Sequence, residues 1–117
     1  MIEKELKSGA KYTGELTMFN VTFEYVFILD DISNETFNFT HEVYMTQMGM
    51  RMLADKKSGN GQFKKIDENN VELKYSDPET AFEVNLNINT GEIIGKAVQV
   101  SSLFTGQEGT LKLKLTE

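Results

Sequence analysis

Residues 81–100 read AFEVNLNINTGEIIGKAVQV, and this segment sets the fold class. The apolar side chains of Phe82, Val84 and Leu86 alternate with polar ones. A period of two is typical of a β-strand with one buried face. Residues 89–91, Asn-Thr-Gly, follow as a turn, because glycine reaches positive φ without steric cost. The segment therefore predicts a β-hairpin.

The turn length determines which residues of this hairpin face each other. A two-residue turn would set Leu86 opposite Gly95, whereas a three-residue turn over 89–91 sets it opposite Ile94. The second register pairs apolar with apolar residues, so we predict it. It places Lys96 on the inward face. Such a lysine either extends its ammonium group to solvent at the rim of the barrel or sheet, or lies on an edge strand, where its charge discourages pairing with another chain. Alternatively, it contacts the carboxylate of a ligand.

A second strand is predicted over residues 21–30, where one face is apolar throughout. On its other face Val26 and Ile28 are also apolar, which indicates that this end of the strand is covered on both sides. A packed helix or a partner subunit would supply that cover. The continuous apolar face consists of Val21, Phe23, Tyr25, Phe27 and Leu29.

Residues 41–57, HEVYMTQMGMRMLADKK, fit two templates. As a helix, they place Tyr44, Met48 and Met52 on one face at intervals of four. As strands, they show alternation, with Met50 and Met52 on the same side. Met, Gln, Leu, Ala and Lys favour a helix, although Gly49 disfavours it. We therefore predict one α-helix near residues 41–57, with the strand alternative open.

The remaining segments predict about eight strands with short connections. The chain has 117 residues and no Pro/Gly-rich linker, so we predict a single domain over residues 1–117. Consecutive strands with short turns favour an antiparallel meander. The predicted fold is mainly β, either a small barrel or a strongly curved sheet, with the helix packed on it.

Composition excludes several kinds of site. The net charge of −6 disfavours nucleic acid and anionic lipid as partners. The absence of cysteine excludes disulfides and thiolate catalysis. The first residues are charged and contain no apolar core, so we expect no signal peptide and no membrane insertion. The expected location is the cytoplasm, although a mature secreted form would have the same sequence.

Sequence motifs for chemistry are missing. The chain has one histidine, His41, which we expect at the surface or at a helix cap. One histidine without cysteine does not form a typical zinc site, so we predict no metal and no cofactor. Nucleophile-elbow, P-loop and dinucleotide motifs are absent. An enzyme is therefore disfavoured, although a catalytic site built from scattered residues would leave no motif.

Four methionines lie within eight residues, and methionine either fills irregular cores or lines adaptable binding surfaces. If this segment covers a barrel, it would line an apolar cavity together with the aromatic residues of the 21–30 strand. The alternative is that the same side chains plug the core. The candidate ligand-binding residues are Phe23, Tyr25, Phe27, Met45, Met48, Met50, Met52 and Lys96.

The strand count and connection lengths resemble those of small lipocalin-like barrels, although the Gly-x-Trp signature of that family is absent and the chain has no tryptophan. The stretch FEVNLNINTGEIIG is also similar to the last hairpin of PepSY-type modules. The aromatic and methionine content and the inward lysine favour a non-enzymatic protein that holds a small apolar or amphipathic ligand inside a lipocalin-like barrel, with Lys96 meeting an acidic head group. The alternative is a protein–protein interaction or assembly module that uses Val26 and Ile28. The sequence does not fix the oligomeric state.

Overall fold

The fold is an eight-stranded antiparallel β-barrel. In a computed structural model that describes residues 8–100 and 105–116, the strands pair in chain order and β8 closes on β1. The predicted meander is therefore confirmed, in its barrel form. The strands are β1 (Lys11–Met18), β2 (Val21–Ile32), β3 (Thr36–Gln47), β4 (Met50–Lys65), β5 (Asn70–Ser76), β6 (Thr80–Asn87), β7 (Glu92–Gln99) and β8 (Glu108–Leu115).

The helix predicted near residues 41–57 is wrong. This segment forms the end of β3 and the start of β4, joined by a tight turn in which Met48 and Gly49 have φ of 53° and 78°. Local helix propensity is a weak preference, and pairing along β2, β3 and β4 outweighs it. The alternation of Met50 and Met52 is the pattern that the structure follows.

The predicted register of the β6–β7 hairpin is also wrong. Leu86 lies opposite Ile93 and not Ile94, because the turn contains four residues, 88–91. The Asn87 carboxamide oxygen accepts hydrogen bonds from the backbone N–H groups of residues 89 and 90, which closes this wider turn. The shift by one residue turns Lys96 to the outer wall of the barrel.

Aromatic rings fill the barrel interior. The Tyr75 ring lies at their centre, with ring centroids 4.6 Å from Phe82, 4.7 Å from Phe39 and 4.8 Å from Phe27. These are contact distances for packed aromatic side chains, so the middle of the barrel is a core and not a ligand chamber. The other aromatic residues of this core are Tyr12, Tyr25, Phe37 and Phe63.

Among the described residues, there is no helix long and apolar enough to cross a membrane.

Candidate binding site at the barrel mouth

The β3–β4 hairpin extends beyond its neighbours at one end of the barrel. β3 pairs with β2 only as far as Tyr44, and β4 pairs with β5 only from Gly61 onward. Within the part of the chain that the structure describes, residues 45–53 therefore form a two-stranded ribbon paired only with itself. We call this ribbon the hairpin arm. Over residues 50–60, no strand of the described ranges pairs with the outer edge of β4.

Arg51 fastens the arm to the barrel on the outer face. Its guanidinium group donates hydrogen bonds of 2.8 and 2.6 Å to the two carboxylate oxygens of Glu24 on β2. It also lies 3.6 Å from the ring centroid of Tyr44, in cation–π geometry. The hydrogen bonds from Arg51 lower the pKa of Glu24. These contacts hold the outer face of the arm against the barrel, whereas the inner face of the arm takes no part in them.

The inner face of the arm is apolar. The β3–β4 register shifts after Val43, so that Ala54 is an extra residue in β4. Met45 then lies opposite Met52 on the face that Val43 shares with the core. Met50 is 65% exposed and Met52 is 47% exposed. The methionines therefore line the entrance above the aromatic core.

Beneath this entrance lies a buried polar group, His41. It is 1% exposed, so the expectation of a surface or capping histidine is wrong. Its Nδ1 atom lies 2.5 Å from the Tyr25 hydroxyl, which lies 3.0 Å from the Tyr75 hydroxyl. Its Nε2 atom lies 3.1 Å from an oxygen of Asp77 but is not aligned for a hydrogen bond.

Tyr25 and Tyr75 determine which nitrogen of His41 carries a proton. Burial raises the pKa of Tyr25 and of Tyr75, so both keep their hydroxyl protons. If Tyr75 donates to Tyr25 and Tyr25 donates to Nδ1, both hydroxyl protons are used. Nε2 then carries a ring proton and faces the Asp77 carboxylate.

Asp77 is held at the turn after β5. Burial alone would raise the pKa of this carboxyl group. The interaction with His41 and the backbone N–H groups of Glu79 and Thr80 outweigh burial and lower the pKa to about 2. The N–H distances are 2.8 and 2.7 Å. Asp77 is therefore an anion at neutral pH, next to a buried imidazole.

Lys57 and Asp55 complete the polar floor of the mouth. Both lie on the inward face of β4, opposite His41 and Val43 respectively. The Lys57 ammonium is 3.4 Å from Asp55 and 3.7 Å from Glu79. Burial alone would lower the pKa of Lys57, but the surrounding carboxylates raise it. Lys57 therefore lies on the inward face of the barrel, whereas Lys96 does not.

The predicted ligand-binding residues do not form one site but lie in several parts of the barrel. Phe23 and Met45 are partly buried, and Met48 is fully exposed in the turn at the tip of the arm. Lys96 lies opposite Glu83 and contributes to an open cleft of about 840 Å³ on the outer wall. Tyr25 and Phe27 belong to the core, whereas Met50 and Met52 line the entrance.

The predicted interaction residues are largely covered. Val26 is 3% exposed and Ile28 is partly buried, although both lie on the outer face of β2. At the mouth of the barrel, the large apolar residues that are exposed among those described are Phe19, Val21, Met48, Met50, Met52, Leu53 and Val100.

Sequence reasoning missed His41, Asp55, Lys57 and Asp77. A signal for His41 was present, because Phe37, Phe39 and His41 follow the same alternation and share the inward face. No local pattern indicates the others, since the folding of the barrel brings them to His41 across 14 to 36 residues of chain.

No protein-family model matches the chain, and no curated protein matches it. The PepSY resemblance of the β6–β7 hairpin therefore has no support beyond that hairpin. The architecture is compatible with a lipocalin-like binding fold. The chain is a small, closed, eight-stranded antiparallel β-barrel.

Proposed function

We propose that the chain is a non-enzymatic assembly module, in which the hairpin arm binds the arm of a second copy. The observation that carries this proposal is the edge of β4. Over residues 50–60 no described strand lies beside it. The backbone groups of an open edge are a template for pairing with another chain.

The arm itself favours a partner. A two-stranded ribbon without further cover is marginally stable in water. This ribbon also exposes Met50, Met52 and Leu53. Methionine adapts its shape to an apolar partner, and clustered exposed apolar residues mark contact surfaces. Docking against another chain would cover these side chains and supply the missing strand.

A second copy is the occupant that suits the arm best, because it offers a free edge of the same length and the same apolar face. The chain carries a net charge of −6, which opposes self-association. Within residues 45–53, however, Arg51 is the only charged residue, and Glu24 neutralises it. The arms can therefore meet without concentrating like charges.

The rest of the open edge carries features that discourage pairing. Lys56 and the inward-facing Lys57 are charged, and Ala54 forms the bulge. Natural edge strands use such features to prevent uncontrolled association. Pairing is therefore restricted to residues 50–53, and we expect a short, closed contact between two copies and not a fibre.

Hydrogen–deuterium exchange at several protein concentrations tests this proposal. We expect the backbone amides of residues 50–53 to exchange more slowly as concentration rises. Exchange in the turn after β4, around Asp67, should not change. Equal exchange in the arm at all concentrations would contradict the proposal.

A second candidate is an amphipathic small ligand held at the mouth. The observation in its favour is that Met45 and Met52 lie above His41 and Lys57, so an apolar wall meets a polar floor. Because aromatic rings fill the interior, such a ligand would bind above the core. A small excess mass in native mass spectrometry that disappears on denaturation would favour this candidate.

A further inference from the structure

We propose that His41, Asp77 and Asp55 form a binding site for a divalent cation of the zinc type at the mouth of the barrel. Each of these side chains offers one ligand atom, and the three atoms lie within 4.8 Å of one another. An imidazole nitrogen with two carboxylate oxygens is a donor set that Zn²⁺ accepts. This inference does not depend on assembly through the arm.

The observation that points to a ligand is the Nε2 atom of His41. It is buried, and within the described residues it has no aligned hydrogen-bond partner. Buried polar atoms are nearly always satisfied, so an exception requires an explanation. Nε2 faces the carboxylate of Asp77, whose Oδ2 atom is 3.1 Å away. A cation bound by both atoms would satisfy the nitrogen and the carboxylate together.

The spacing of these atoms suits a metal. Two ligand atoms that are each about 2.1 Å from a tetrahedral ion lie about 3.4 Å apart. The separation between His41 and Asp77 is close to this value. Asp55 must rotate inward, since the limit of 4.8 Å exceeds the ligand spacing in such a site. Its side chain is 42% exposed, and this exposure leaves room for the rotation and gives the ion a path from solvent.

The surroundings of His41 provide the support that metal-bound histidines need. A ligating imidazole usually donates its other N–H to an oxygen, which fixes the ring. Here Nδ1 lies 2.5 Å from the Tyr25 hydroxyl. When Nε2 binds the ion, the ring proton moves to Nδ1 and is donated to Tyr25. Tyr25 then donates to Tyr75, so the direction of this hydrogen-bond chain reverses.

Lys57 competes with the ion. Its ammonium group is 3.4 Å from the Asp55 carboxylate that the ion would use. It can move toward Glu79, 3.7 Å away, because the lysine side chain is partly exposed and flexible. We therefore expect the wild-type chain to bind Zn²⁺ with an affinity that Lys57 limits. Replacement of Lys57 by an uncharged residue should strengthen binding tenfold or more.

Calorimetric titration of ZnCl₂ into untagged, chelator-treated protein tests the site. We expect one ion per chain, and no comparable binding of Mg²⁺ or Ca²⁺. Asp55→Asn should weaken binding at least tenfold, and this variant should fold because the residue is exposed. Lys57→Met should strengthen binding, whereas the matched outer-wall variant Glu83→Gln should bind as the wild type does.

Nuclear magnetic resonance of the imidazole ring locates the ion. His41 is the only histidine of the chain, so its ring signals need no assignment. We expect Zn²⁺ to shift the Nε2 resonance and to leave the proton on Nδ1. Tyr25→Phe should weaken binding by about 10- to 100-fold, the usual effect of losing such a supporting oxygen.

Two results would contradict the proposed metal site. If neither the wild type nor Lys57→Met binds Zn²⁺, then the ammonium of Lys57 is simply the counter-charge of Asp55. If Zn²⁺ binds without shifting the imidazole signals, or equally well to Asp55→Asn, the ion lies elsewhere on the acidic surface.

Discussion

The hydroxyl group of Tyr25 lies 2.5 Å from Nδ1 of His41, inside the barrel. This contact links β2 to β3, and a further hydrogen bond between the Tyr25 and Tyr75 hydroxyl groups links them to β5. Three strands are thus joined by polar atoms within a largely apolar core. Buried polar groups of this kind are costly when any partner is removed.

Tyr25→Phe should therefore destabilise the chain by about 1–3 kcal/mol, because it leaves His41 Nδ1 and the Tyr75 hydroxyl without their shared partner. Urea denaturation with a chelator present measures this difference. The control is Tyr12→Phe, since Tyr12 is also buried in the aromatic core but its hydroxyl does not join this group. An equal loss in both variants would show that the Tyr25–His41 contact contributes nothing specific.

Asp77 should make the barrel sensitive to acid. Its pKa is about 2 in the folded chain, against an ordinary value of 3.8. A lowered pKa stabilises the fold above pH 3.8, and this contribution is lost as the pH falls from about 4 to 2. Asp77→Asn should lower the free energy of unfolding by about 1–2 kcal/mol at neutral pH. It should also flatten the dependence of stability on pH between about pH 4 and pH 2. Chemical denaturation at stepped pH values tests this, with Glu83→Gln as the control. A profile of Asp77→Asn that falls as steeply as the wild type would refute it.

Two glycines on the inner face of β4 should differ in their tolerance of a side chain. A Cβ atom at Gly61 would overlap the Phe37 ring and would lie 2.8 Å from the carbonyl oxygen of Lys74. At Gly59 the nearest atoms belong to the Phe39 ring, at 3.3 Å. Gly61→Ala should cost about 1–3 kcal/mol and Gly59→Ala clearly less, as measured by thermal unfolding. The reverse order would contradict the packing described for the barrel.

The contact between arms should be sensitive to charge. Met50→Lys combined with Met52→Lys should give a folded monomer, because both side chains are exposed in the single chain. Ile94→Lys is the control, since Ile94 is 54% exposed but lies on the outer wall of β7. Sedimentation velocity should show that only the arm variant dissociates. Dissociation of the Ile94→Lys variant would place the interface on the wall instead.

Much of the fold can be predicted from alternation. Segments such as residues 82–86 and 111–115 carry a period of two, and each lies in a strand with its apolar residues inward. Short connections between such segments lead to a meander, and closure of the barrel leaves the edge of β4 over residues 50–60 without a partner strand among the described residues. The prediction for residues 41–57 was wrong, because helix-favouring residues there obscured the alternation of two strands. The decisive feature there is the positive φ at Met48 and Gly49, which a sequence pattern does not reveal.

The candidate site was far less predictable. His41 continues the inward pattern of β3, so its burial could have been inferred. Its partners could not, because the position of Asp77 depends on the turn after β5 and on the register between β4 and β5. Lys96 shows the same dependence, since one additional residue in the turn before β7 moved it from the inward face to the outer wall.

The most direct test of the central claim is the mass of the native protein, measured by native mass spectrometry after chelator treatment, with a denatured control. Assembly through the arm predicts a species of twice 13.3 kDa that grows with concentration and is lost in the Met50→Lys, Met52→Lys variant. A mass of 13.3 kDa at every concentration would contradict the account.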